Sequence, residues 1–225
     1  VDELEEMKPE LVIFEGNVVA KDGKLVEECK VEKYPDWIKD TVTLKNPITE
    51  KSFRVESKIE NGTTRVHVID LITAQIINNR EVKELKVKDG EILSDLGADI
   101  LKLAVVERYG KNGNVGIGFV HGFGLKMGAL AYSMSHDHHN IVVVGTNDTD
   151  MAVAVNEVAR LHGGLAIANE GAVINSMALP IGGLMSEKTA DEVMEKMDIM
   201  NAEVKELGCD MSAPFMTLSF ISLPT

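Results

Sequence analysis

The feature that most constrains this chain is an unbroken β-branched run, Ile141-Val142-Val143-Val144, closed by Gly145. It reads as a buried strand. Before it stands a polar tip, Ser135-His136-Asp137-His138-His139-Asn140. After it, Thr146-Asn147-Asp148 open a helical pattern. Polar tip, apolar strand, tight turn and helix N-terminus together hold reactive side chains on a rigid support. Three histidines and an aspartate within four positions exceed what a wet loop requires, so this stretch is the candidate site.

At 225 residues the chain can bury a full core, and 44% apolar content is ordinary for one. Aromatic content of 4% predicts an aliphatic, Met-rich interior. A net charge of −13 argues against a nucleic-acid backbone or an anionic membrane as partner. With no apolar run of transmembrane length and no basic-then-apolar leader, a cytoplasmic location is expected. Cys29 and Cys209 fit no metal spacing and read as reduced structural thiols. The chain opens without Met and stops straight after a strand-like run, which reads as a fragment.

Taken in order, residues 1–28 form a β-segment with turns at Glu15-Gly16-Asn17 and Asp22-Gly23, too small to stand alone. Residues 29–40 read as a linker with Trp37 as an aromatic anchor. Residues 41–225 read as one α+β domain, helices packed on a mostly antiparallel sheet. Strands are expected at 41–44, 53–57, 63–71 and 81–87, and the spacing of Leu96, Ile100, Leu103 and Ala104 predicts a helix over 95–109. A glycine-dotted strand, 115–120, follows; its Gly-x-Gly lies inside the strand and is no dinucleotide fingerprint. Residues 125–134 fit strand or short helix. A helix over 148–161 ends at Gly163-Gly164, and a hairpin spans 165–177. A long helix capped by Ser186 runs to Leu207, and 215–223 read as a last strand.

His136-x-His138 resembles a metal pair if both lie on one strand face, with His121 or Asp148 as a distant third ligand. That set cannot be closed locally, so no tightly held metal is expected in this chain. A proton-handling role for His136 and Asp137 fits better, with His138, Asn140 and Asn147 as substrate-binding groups. Ser133 and Ser135 near His136 suggest a nucleophile–base pair, but no nucleophile elbow is present.

The segment 135–151, SHDHHNIVVVGTNDTDM, resembles the C-terminal signature of adenine deaminases of the amidohydrolase superfamily. Asn169-Glu170-Gly171-Ala172, Leu179-Pro180-Ile181-Gly182-Gly183-Leu184-Met185-Ser186 and the ending from Met216 to Pro224 are similar to the same family. Residues 12–26 resemble the β-segment that follows the superfamily's barrel. The resemblance implies an enzyme that hydrolyses adenine to hypoxanthine and ammonia with a metal-activated water. It places the divalent metal (manganese, iron or zinc) in an upstream barrel that this sequence lacks. His136-x-His138 is therefore not the barrel's His-x-His pair. The implied partners are adenine, the enzyme's own N-terminal barrel and further copies of itself as a homo-oligomer. The chain is expected to complete or cover the active site and to be inactive alone; the alternative is a structural or oligomerisation domain.

Overall fold

A computed structural model describes residues 9–26, 33–72 and 75–223, so Cys29 and the first third of the expected linker, residues 29–32, lie outside the described residues. The chain divides into two compact units, Val1–Tyr34 and Pro35–Thr225. The first holds a three-stranded antiparallel sheet, β1 (Leu11–Phe14), β2 (Asn17–Lys21) and β3 (Lys24–Leu25). Its β1–β2 turn puts Glu15 at φ 49° and Gly16 at φ 82°, the paired positive values that a tight hairpin demands. Ile13, Phe14 and Leu25 of this unit are exposed.

The second unit is built on a nine-stranded sheet. In chain order its strands are β4 (Gly62–Leu71), β5 (Asn78–Lys88), β6 (Glu91–Ile92), β7 (Ile100–Val106), β8 (Val115–His121), β9 (Ala129–Tyr132), β10 (Ile141–Gly145), β11 (Gly164–Asn169) and β12 (Ala172–Ala178). Their spatial order is β12-β11-β9-β10-β7-β8-β4-β5-β6, and only β4 and β8 pair in parallel. Three helices, α1 (Asp148–Arg160), α2 (Ala190–Glu206) and α3 (Pro214–Phe220), complete an α+β fold with a mostly antiparallel sheet.

The run 141–144 lies mid-sheet between β7 and β9, with all four side chains fully buried. Val142 and Val144 face Met200 and Val204 of α2 and Phe215 and Leu218 of α3. Ile141 and Val143 face Met151, Val155 and Val158 of α1. Helices cover both sheet faces, so no residue of the strand has a wet side and the sequence shows no alternation. Each such side chain stabilises the fold by roughly 1.5–3 kcal/mol. Gly145 is required by packing: a Cβ there would sit 2.5 Å from Met151 Cγ and 2.8 Å from Ala129 Cβ. Asn147 then caps α1, its Oδ1 accepting from Asp150 N at 2.8 Å.

Several local expectations are corrected. Residues 95–109 are not a helix: a short 3-10 turn, Leu96–Ala98, leads into β7. Nearly all of β7 is buried on both faces, and such a continuous apolar run offers i, i+3 and i+4 matches as readily as a helix does. Residues 125–134 resolve as strand β9. The ending is helix α3, not a strand; Pro214 starts it, and Phe215, Leu218 and Ile221 recur at helical spacing toward the core. Helix α2 is capped by Thr189, not Ser186, in a reciprocal capping box with Glu192. The expected strands at 41–44 and 53–57 reduce to single bridges at Thr43 and Glu56, around a 3-10 turn at Glu50–Phe53. Trp37 is 72% exposed and anchors nothing among the described residues. Cys209 is buried, its thiol donating to the Phe123 carbonyl at 3.1 Å, and burial pushes its pKa up.

Candidate functional site

Residues 136–138 form a turn between β9 and β10, not a strand. The alternation argument for a shared metal therefore does not apply. The His136 ring stacks on Phe220 (centroids 4.4 Å apart, planes at 20°), while its backbone N–H donates to the Ser219 carbonyl at 2.9 Å. His138 turns elsewhere. Its Nε2 lies 3.1 Å from Ser222 Oγ and 3.4 Å from Ser135 Oγ, and the two hydroxyls are 2.7 Å apart. Asp137 is exposed.

The hydrogen bonds assign the tautomer of His138. Asn140 N donates to its Nδ1 at 3.1 Å, so Nδ1 is an acceptor and Nε2 carries the proton. His138 thus donates toward Ser222 rather than taking a proton from it. A nucleophile–base pair needs the reverse, so neither Ser135 nor Ser222 is activated here. Protonation would set two N–H donors face to face. Partial burial, then the charge of His139, lower the His138 pKa, against a smaller opposing pull from Asp137.

The loop backbone is held from the end of β7. Arg108 is buried; its Nε donates to the His139 carbonyl, and its Nη2 donates to the Gly182 carbonyl at 3.1 Å. Its backbone N–H donates to Asn140 Oδ1 at 3.4 Å. Tyr109 Oη donates to the His138 carbonyl at 3.0 Å. Beside them, Glu107 accepts four backbone N–H groups, from Tyr109, Lys111, Asn112 and Gly113. Burial pushes its carboxyl upward, but those bonds outweigh it and hold the pKa below the usual range. Ser133 ties in the loop after β12: its Oγ donates to the Gly183 carbonyl at 2.6 Å and accepts from Gly164 N at 2.8 Å.

The other groups named from the sequence are not at this place. Ile141 pairs with Val106 and Gly145 with Lys102, so Asn147 and Asp148 begin beyond the far end of β10, some ~13 Å away at ~3.3 Å per residue. His121 pairs with Ile100, also at that far end. Neither His121 nor Asp148 can complete a ligand set with His136 and His138. Asn147 itself is occupied, its Nδ2 donating to Asp150 Oδ2 at 2.6 Å.

That far end carries its own charged groups, of which the sequence reading singled out only His121 and Asp148. Buried Lys102 bridges Asp148 (2.7 Å) and Glu91 (2.9 Å). Asp148 is desolvated enough that its pKa rises despite the Lys102 bond. One sheet face also brings Asp70, Glu81 and His121 together, their ligand-type atoms within 4.8 Å of one another. These atoms already have partners, His121 Nδ1 with Asp70 at 2.6 Å and Glu81 with Lys83 at 2.5 Å. The three residues sit on β4, β5 and β8, and nothing local in the sequence signals that they meet.

The model of the family described as adenine deaminase C-terminal domain matches residues 75–225. The chain belongs to that family. A protein of Desulforamulus reducens named adenine deaminase is 52% identical over 225 residues, covering 100% of this chain and 38% of the relative. One of Kosmotoga olearia with the same name is 44% identical, covering 99% and 38%, and one of Moorella thermoacetica is 39% identical, covering 95% and 36%. The chain thus spans well under half the length of these relatives. The match covers the histidine loop, the Arg108 corner and the loop after β12. No described helix is long and apolar enough to cross a membrane.

Proposed function

We propose that this chain is the C-terminal part of an adenine deaminase whose full form hydrolyses adenine to hypoxanthine and ammonia, and that residues 135–140 are its contribution to the purine site. The observation that carries this is the way the loop is held. Its backbone is fixed by Arg108, Tyr109 and Ser219, all outside it, while the His136 ring is braced face to face on Phe220 and Asp137 stands exposed at the tip. A loop whose backbone is fixed and whose tip is polar meets the positional demands of catalysis. On this reading His136 and Asp137 orient or relay a proton at the purine. His138 and Asn140, whose polar atoms are engaged within the chain, support the substrate site from behind, whereas Asn147, beyond the other end of β10, serves as the cap of α1.

The divalent metal implied by the resemblance does not fit this loop, because His136 and His138 diverge and, among the described residues, the loop's side chains bring no three ligand atoms together. It is assigned to the enzyme's N-terminal part, and the chain alone is expected to release no ammonia from adenine. Residues 1–28 are read as a β-segment packed beside that part, in keeping with exposed Ile13, Phe14 and Leu25. The enzyme is read as cytoplasmic, with the N-terminal barrel and adenine as partners.

A second reading, a structural or oligomerisation domain, is favoured by exposed Val173 and Ile174 on edge strand β12 and by Met194 and Ile199 on α2. The two part on the turnover of His136→Ala and Asp137→Ala in the full-length, metal-loaded enzyme. The first reading expects a loss of ~10²–10⁴ in kcat at unchanged melting temperature. Turnover within a few-fold of wild type would favour the second.

A further inference from the structure

Arg108 is the one fully buried guanidinium among the described residues, at 2% exposure, and no carboxylate is bonded to it there. Burying a cation without an acid is unfavourable, and burial indeed lowers its pKa. Its Nη1 is buried with no hydrogen-bond partner. Nε and Nη2 each donate to one carbonyl, and the two carbonyls belong to separate loops: His139 before β10, and Gly182 after β12. The second loop is shaped around the guanidinium. Gly183 sits at φ +72°, and a Cβ there would overlap Arg108 Nη1 and press on Val42 at 2.8 Å. Interactions chosen for stability alone would not leave a buried charge in this state.

We infer that Arg108 is a positioning residue that clasps the histidine loop to the Gly182–Gly183 loop, so that the two loops hold one joint arrangement. Only a planar fork with fixed donor angles can serve both carbonyls at once; an ammonium on a flexible stem can reach one. Tyr109 and Asn140 add bonds to the histidine loop but none to the other, so the joint arrangement rests on the guanidinium. That the clasped histidines act on substrate rests on the function proposed above; the clasp itself does not.

The test is amide hydrogen exchange on the 225-residue chain, read at His139 and Asn140 in one loop and at Gly182 and Leu184 in the other. All four amides are hydrogen-bonded within the chain. Arg108→Met should speed exchange in both loops by about ten- to hundred-fold, the factor by which losing a charged hydrogen bond shifts a local opening. Arg108→Lys should restore at most one loop, and it provides the same readout if the Met variant does not fold. Tyr109→Phe should affect the histidine loop alone. Unchanged exchange in Arg108→Met, acceleration in only one loop, or full recovery by Lys would overturn the clasp. In the full-length enzyme, Arg108→Met should lower kcat far more than it changes KM. If His136→Ala and Asp137→Ala prove silent there while the exchange result holds, the clasp stands and the catalytic reading falls.

Discussion

The two ends of β10 are built on opposite electrostatic plans. At the Gly145 end a buried lysine, Lys102, sits between two carboxylates, and Asn147 and Asp150 complete the N-cap of α1. At the Ile141 end the buried cation, Arg108, has two carbonyls and the face of the Tyr109 ring at 5.3 Å but no acid, one of its nitrogens is unpartnered, and His138 is held neutral among hydroxyls. Both ends flank the same packed strand, so packing does not explain the difference. The first end is organised to be stable. The second spends stability on holding a loop in one shape, which is the usual mark of a site.

The sharpest way to break this comparison is to remove each cation in turn. Lys102→Met leaves Asp148 and Glu91 together without a counter-charge, and the lysine side chain is 5% exposed against about a fifth for each acid. The expected cost is ~3 kcal/mol, the low end of the range for stripping one partner from a buried pair. In a chain of this size that lowers the melting temperature by roughly 6–12 °C. Arg108→Met orphans no acid, and the ten- to hundred-fold faster loop opening expected of it corresponds to about 1.4–2.7 kcal/mol, so its cost should stay below that of Lys102→Met. Chemical denaturation of both variants measures this. Equal losses, or a larger one at Arg108, would show that the two ends do not differ as described.

A smaller effect is expected at the cap. Asn147 accepts from Asp150 N at 2.8 Å and opens α1, which covers one face of β10. Asn147→Ala should cost ~1 kcal/mol, and Asn147→Asp or Ser should restore most of it. If Asn147 touched substrate in the full enzyme, the Asp and Ser variants would keep stability yet lose turnover. A cap-only role predicts that turnover follows stability.

The legibility of this molecule divides along the same line. What local pattern encodes was readable: the apolar run of β10, the helix opening after Gly145, and the hairpin of β11 and β12. What depends on partners distant in sequence was not. β7 was mistaken for a helix because burial on both faces erases the alternation that marks a strand. α3 was mistaken for a strand because Phe, Thr and Ile carry β propensity, which Pro214 and the core-facing spacing of Phe215 and Leu218 override. Within the site, the tip residues stood out as a dense polar cluster, but their supports came from Arg108, 31 positions before His139, and from Ser222, 84 after His138. Arg108 lay in the misread helix, where an arginine would be an ordinary surface residue. The bridging of Lys102 to Asp148 was hidden for the same reason.

The smallest expected effect is a pH dependence that only the Ile141 end should show. His138 titrates below its ordinary value, chiefly through partial burial and next through the charge of His139, with Asp137 opposing. The groups facing it are the Ser135 and Ser222 hydroxyls and the Asn140 N–H, none of which can stabilise an imidazolium at Nδ1. In the unfolded chain the ring recovers an ordinary pKa of about 6.5 and binds a proton more readily than in the fold. Stability therefore rises with pH wherever the unfolded state holds the extra proton. The contribution is complete above about pH 6.5 and is lost as pH falls from there through the lowered folded value. His138→Gln can keep a neutral donor toward Ser222 while removing the titration. The difference in unfolding free energy between wild type and His138→Gln, measured by denaturant titration from neutral pH downward, should shift against wild type as the pH drops. A constant difference, or one moving in favour of wild type on acidification, would mean that the ring is not held neutral and that the tautomer assigned from Asn140 is wrong.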